Sequence, residues 1–129
     1  MRNVALIELA KKVAISGGDL ALSYFRVPGL SVKNKHLSTF DPVTEADLKA
    51  ELLMRDIIER ERPTDSILGE EMGFKKGSSE YTWVLDPIDG TRAFIAGVPV
   101  WTVLVSINLK GEPILGIMYQ PFTKELFIG

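Results

Sequence analysis

Trp83-Val84-Leu85-Asp86-Pro87-Ile88-Asp89-Gly90-Thr91 is the stretch on which the reading of this chain turns. An apolar run of strand type ends in a carboxylate, Asp86. Pro87 restricts the backbone on either side of it, and Gly90 permits a tight turn that brings Asp89 beside Asp86. Two carboxylates then converge on one point. Like charges so close raise each other's pKa and repel, an arrangement that makes sense around a cation. Magnesium is the natural candidate, because it takes oxygen ligands and completes its shell with water and phosphate. Residues 91–95 are expected to form a short helix, whose free N–H groups at Thr91 would face an anion next to that cation. Taken alone, the stretch is equally an Asp-Pro and Asp-Gly turn that caps a helix.

Downstream the period is that of strands. Trp101, Val103, Val105 and Ile107 alternate with Thr102, Leu104, Ser106 and Asn108, as in a sheet with one face on a core. Lys110-Gly111 separates this run from residues 112–119 as a hairpin turn would, and residues 124–128 are a last strand after Pro121. Upstream, residues 66–68 and 81–85 are short apolar runs, also of strand type. Further towards the start the period becomes helical. Leu6, Leu9, Val13, Leu20 and Tyr24 mark the inner face of a helix over residues 3–25, with Gly17-Gly18 a place of close packing, a kink or an early break. A second helix begins at Thr44, a good N-cap with Asp47 three residues on, and carries Ala50, Leu53, Met54, Ile57 and Ile58 as an apolar stripe up to Pro63. Residues 29–43 between the helices read as a loop with room for a short hairpin. Helices first and antiparallel strands after predict an α+β layered fold, two amino-terminal helices on a mostly antiparallel sheet.

Composition narrows the chemistry. The 129 residues form about one domain, 46% hydrophobic and 25% charged, within the ordinary range for a globular protein. No stretch approaches the ~18 apolar residues of a membrane span, and the opening residues lack the pattern of a secretory signal, so a cytoplasmic location is expected. There is no cysteine and only one histidine, His36, which leaves oxygen as the ligand of any metal. With 17 acidic against 15 basic residues the net charge is -2, and no basic run favours a nucleic acid.

Two further acidic places join the first. Gly69-Glu70-Glu71 follows the strand at 66–68, so Glu70 stands at a strand end much as Asp86 does; by itself it is better read as a solvated acidic loop. Asp41-Pro42-Val43-Thr44-Glu45-Ala46-Asp47 leads into the second helix, where a capping box by itself accounts for Thr44 and Asp47.

These three runs, in this order, together with the Arg92-Ala93-Phe94 that follows Thr91, resemble the signature set of the inositol monophosphatase-like, lithium-sensitive phosphatases. The resemblance implies the first half of that family's layered sandwich, with residues 1–129 as an amino-terminal metal-binding domain. It implies magnesium-dependent hydrolysis of a small phosphate monoester by an activated water, with two or three magnesium sites in the complete enzyme, manganese as a substitute, and no covalent intermediate. Glu70, Asp86, the backbone carbonyl of Ile88 and Asp89 match the family's metal ligands. Asp47 and Thr91 match the pair that orients the water, and Gly90 with Thr91 the phosphate-binding N–H groups. Lys35 and His36 lie in a loop that departs from the family pattern and stay outside the site. Thr91-Arg92-Ala93-Phe94 and Tyr119-Gln120-Pro121-Phe122 look more like the histidinol-phosphate phosphatase branch than the inositol branch. Inositol monophosphate and related sugar or nucleotide phosphates are the alternative substrates.

Family members are longer, and a later Trp-Asp segment that supplies another ligating aspartate has no match here. A chain so shortened is expected to catalyse poorly alone, to expose a sheet edge near residues 124–128 and to form a homodimer; a non-catalytic half acting only by association is the competing reading.

Overall fold

The computed structural model describes residues 3–34 and 42–129. In chain order the elements are α1 (Val4–Leu22), β1 (Val32–Asn34), β2 (Pro42–Thr44), α2 (Glu45–Glu61), β3 (Ser66–Gly69), β4 (Gly73–Lys75), β5 (Tyr81–Asp89), α3 (Thr91–Ala96), β6 (Thr102–Leu109), β7 (Glu112–Gln120) and β8 (Glu125–Ile128). Asp41, Lys35 and His36 lie outside the described residues.

Six strands make one sheet in the order β4-β3-β5-β6-β7-β8. Every neighbouring pair is antiparallel except β3 and β5, which run parallel with Gly69 opposite Leu85. The α+β class and the mostly antiparallel sheet stand as expected. Lys110 and Gly111 both have positive φ, 52° and 82°, the backbone of the two-residue turn that suits the twist of β6 and β7. β1 and β2 form the short hairpin pair allowed for in residues 29–43, with Val32 opposite Thr44.

The helices cover one face of the sheet. Leu6, Val13, Met54 and Ile58 pack with Ile67, Trp83, Leu85, Val103, Val105, Ile107 and Ile117 in the main core, so the alternating pattern of β6 does face inward at its odd-numbered positions. A second cluster of Ala21, Phe25, Ala46, Ala50, Ile88, Phe94 and Trp101 lies beneath the end of β5 and α3. Its aromatic rings meet at centroid distances of 5.5 Å for Phe25 and Phe94 and 4.9 Å for Phe94 and Trp101. This cluster is the floor on which the acidic loop rests.

Three expectations need correction. The first helix ends at Leu22, not residue 25, and its buried face is made of Ala10, Ala14, Gly17, Gly18 and Ala21 as much as of Leu6 and Val13; Leu9, Leu20 and Tyr24 are only half-buried. Small residues there let α1 approach its neighbours closely, so of the alternatives at Gly17-Gly18 it is close packing that holds. β5 does not stop at Asp86 but continues to Asp89, with a register irregularity between those two residues. β4 was not foreseen, because its three residues are all exposed and carry no alternation.

A Cβ added at Gly18 would stand 2.7 Å from the Tyr119 ring and 2.9 Å from Pro121, and neither ring can yield without moving the buried end of β7. Alanine is the better helix former by about 1 kcal/mol, yet overpacking of this kind costs on the order of 1–3 kcal/mol. Gly18→Ala should therefore lower the urea midpoint. A raised midpoint would show that propensity outweighs the contact.

Candidate metal centre

The parallel pairing of β3 and β5 explains why two acidic segments distant in sequence meet. Both strands run towards the same end of the sheet, and the Glu70 N–H donates to the Leu85 carbonyl at 3.0 Å. That bond holds Glu70 beside the strand position just before Asp86. The irregularity between Asp86 and Asp89 then turns the end of β5, and Gly90, with φ 93°, sits in the left-handed region as the N-cap of α3. The strand end, the turn and the helix start thus follow directly from Asp86-Pro87-Ile88-Asp89-Gly90-Thr91.

Asp86 is the electrostatic centre of this arrangement. Its Oδ1 is buried and has no hydrogen-bond partner, a costly condition for a carboxylate oxygen. Burial, and then the charges of Glu70, Asp89, Asp47 and Glu71, push its pKa up to about 7. All four neighbours are acids, so three segments, the loop after β3, the end of β5 and α2, contribute to one negative field.

Asp47 serves two structures at once. It is fully buried, and its Oδ2 accepts from the Thr44 N–H at 3.0 Å and from Thr44 Oγ1 at 2.6 Å, while Thr44 Oγ1 accepts from the N–H groups of Ala46 and Asp47. The capping box expected from sequence is present. The other oxygen, Oδ1, accepts from Thr91 Oγ1 at 3.1 Å, which ties the start of α2 to the start of α3. Thr91 Oγ1 also lies 3.2 Å from the Ile88 carbonyl, and with one proton it donates to one of the two at a time. Burial, as the largest effect, raises the pKa of Asp47 against the lowering effect of its bonds to Thr44 and Thr91.

The donor set suits a hard cation: carboxylates at 47, 70, 86 and 89 and the backbone carbonyl of Ile88, with no cysteine in the chain. Among the described residues, no three acidic or histidine side chains already stand in a ligating cluster. The field at Asp86 and this looser spacing agree once backbone and side chain are separated. The strand ends bring the carboxylates within electrostatic reach of Asp86, while Glu70 and Asp89 are exposed. The orphaned oxygen of Asp86, which needs a positive partner, decides that the residues fit a cation.

Sequence reasoning did not find Glu51 and Arg55. Both are buried, and Glu51 bonds the Glu71 and Met72 N–H groups at 2.8 Å each. The available signal was a glutamate four residues after Asp47, next to the Ala50 of the apolar stripe.

Structure alone thus shows a layered α+β domain with acidic side chains gathered at its strand ends. Comparison with known proteins makes it more specific: residues 3–129 match the inositol monophosphatase family, and the chain belongs to that family. It is 40% identical over 121 residues to a histidinol-phosphatase of Chlorobaculum parvum, covering 94% of this chain and 46% of the relative. It is 37% identical over 124 residues to an inositol-1-monophosphatase of Caulobacter vibrioides, covering 95% and 46%. The crystal structure of the extragenic suppressor protein suhB from Bartonella henselae superposes with a TM-score of 0.88 at 30% identity, over 97% of this chain and 48% of that one. The chain spans about half the length of the curated relatives it matches.

A carboxyl group whose pKa rises from 3.8 to about 7 on folding favours the fold when protonated, so its stabilising effect is complete below pH 3.8 and is lost as the pH climbs to about 7. In chelator, the chain should lose stability over that window, and Asp86→Asn should remove the loss. The gain of Asp86→Asn at pH 7.5 should be on the order of 2 kcal/mol once the partial exposure of the carboxyl is allowed for. Thermal melts at pH 5 and pH 7.5 check this; identical pH slopes for parent and variant would contradict it.

Proposed function

We propose that this chain carries the metal- and phosphate-binding part of a magnesium-dependent phosphomonoesterase, acting on a small phosphate monoester with histidinol phosphate as the first candidate. The observation that carries the reading is the buried, unpartnered Asp86 oxygen in a field of four other carboxylates, beside a hydroxyl held by Asp47. Glu70, Asp86, Asp89 and the Ile88 carbonyl would hold the cation. What a divalent cation supplies there when bound is charge to neutralise the phosphate and a lowered pKa for adjacent water. Manganese is the expected substitute.

The chain's own residues do the rest. With its proton directed at Asp47 Oδ1, Thr91 Oγ1 presents lone pairs that can accept from an attacking water. A proton leaving that water passes to Thr91 as the Thr91 proton passes to Asp47, and the raised pKa of Asp47 suits it to receive one. Gly90 and Thr91 offer backbone N–H groups to the phosphate. No side chain needs to form a bond to phosphorus.

Family membership supports phosphatase chemistry, and the relatives named above include both a histidinol-phosphatase and an inositol-1-monophosphatase at similar identity. Thr91-Arg92-Ala93-Phe94 and Tyr119-Gln120-Pro121-Phe122 favour histidinol phosphate. Among the described residues no helix is long and apolar enough to cross a membrane. A cytoplasmic enzyme is our reading, as is a dimer formed through the β8 edge, where Phe127 and Ile128 are exposed.

Three measurements test the proposal. Isothermal titration with magnesium or manganese should show Asp89→Asn weakened about tenfold or more relative to the parent, and equal affinities would refute the site. In a form competent for turnover, Asp47→Asn and Thr91→Ala should each lower kcat by roughly 10²–10⁴ with little change in KM. A pure rise in KM for both would remove them from the proton path, and a preference for inositol monophosphate in parallel phosphate-release assays would change the substrate.

A further inference from the structure

We infer that Glu51, together with Arg55, is a positioning pair that sets the Glu70 loop at the metal centre; the inference rests on the metal reading above. Glu51 has no exposed surface and lies one helical turn after Asp47 on α2. Its two carboxylate oxygens accept from consecutive backbone donors, Oε1 from the Glu71 N–H and Oε2 from the Met72 N–H, each at 2.8 Å. Arg55 Nε donates to Oε2 at 3.1 Å, and Arg55 Nη2 donates to the Gly73 carbonyl. The loop that follows Glu70 is thereby held by three bonds from one buried ion pair, while Glu70 itself is held on its other side by the Leu85 carbonyl.

The fit leaves no spare room. A Cβ at Gly69 would lie 2.4–2.6 Å from the Glu51 carboxylate, so glycine at 69 is what allows the carboxylate to reach under the loop. A buried ion pair is weak support for stability, since desolvation offsets its attraction. A salt bridge on this helix that served packing alone would need only Arg55 as a partner. Here both oxygens are turned to the backbone of the residues after Glu70. α2 thus holds the metal centre twice, through Asp47 at the start of α3 and through Glu51 at the loop after β3. Outer residues of this kind set the direction of a metal's ligands, and losing one costs about 10–100-fold in metal affinity.

The test compares Mn²⁺ affinity by isothermal titration, with far-UV circular dichroism confirming the fold, for the parent, Glu51→Gln, Gly69→Ala, Gly18→Ala and Asp89→Asn. Glu51→Gln keeps the shape but puts an amide where two N–H donors and a guanidinium need a carboxylate. Gly69→Ala displaces the same carboxylate without changing any charge, and decides alone if Glu51→Gln does not fold. The expected result is at least a tenfold loss in both, with faster amide exchange at Glu71 and Met72, while Gly18→Ala, whose added methyl meets Tyr119 and Pro121 and not the Glu51 carboxylate, binds as the parent does. Parent-like affinity in the folded Glu51 and Gly69 variants, beside a lost site in Asp89→Asn, would overturn the positioning role alone. An equal loss in Gly18→Ala would reduce that role to general stability and overturn it too. Parent-like affinity in Asp89→Asn would overturn the metal reading and the positioning role with it.

Discussion

The parallel pairing of β3 with β5 is the constraint from which the site follows. Among the described residues it is the single parallel contact in a sheet otherwise antiparallel between neighbours, and it sends two strands out at the same end of the sheet, β3 followed at once by Glu70 and Glu71 and β5 closing on Asp86 and Asp89. Desolvation of Asp86 and the repulsion of Glu70, Asp89, Asp47 and Glu71 are its electrostatic consequence. A fold does not gather like charges at a buried point for stability, because each raises the cost of ionising the others. The arrangement is what the proposed cation site would require.

The rest of the structure makes that end rigid. Phe25, Phe94 and Trp101 fill the floor below α3, so the turn from Asp89 through Gly90 to Thr91 rests on packed rings. α2 braces that end from the side. Asp47 divides its two oxygens between the cap of its own helix and the hydroxyl of Thr91, and Glu51 divides its oxygens between two loop amides. One helix therefore couples the position of the acidic loop to the position of the hydroxyl, and a shift of α2 would move both.

Much of this was legible in the sequence where local rules were strong. The alternation of β6, the Lys110-Gly111 turn, the capping box at Thr44 and Asp47, and the Asp-Pro-Ile-Asp-Gly-Thr turn each carry their own backbone preference. The site residues Asp47, Glu70, Asp86, Ile88, Asp89, Gly90 and Thr91 were named from motif order and family resemblance. What stayed hidden depends on partners distant in sequence. Glu51 reads as one more helical glutamate until β3 is placed beneath it, and the Gly17-Gly18 pair of α1 reads as a weak point of the helix until Tyr119 and Pro121 are set against Gly18. β4 has no pattern of its own and exists because β3 offers it an edge. The dual use of Asp47 was hidden for a different reason: a cap explains the residue fully, so nothing in the sequence asks for a second role.

The central claim is that the ends of β3 and β5 form one cation site. Mn²⁺ is paramagnetic and broadens nearby amide resonances, so its addition in small amounts to isotope-labelled protein maps the site without reference to catalysis. The account predicts that the amides of Glu70, Glu71, Ile88, Asp89, Gly90 and Thr91 broaden first and together. Broadening confined to other acidic surfaces, such as Asp56 and Glu59 on the outer side of α2, with those six amides unchanged, would contradict it.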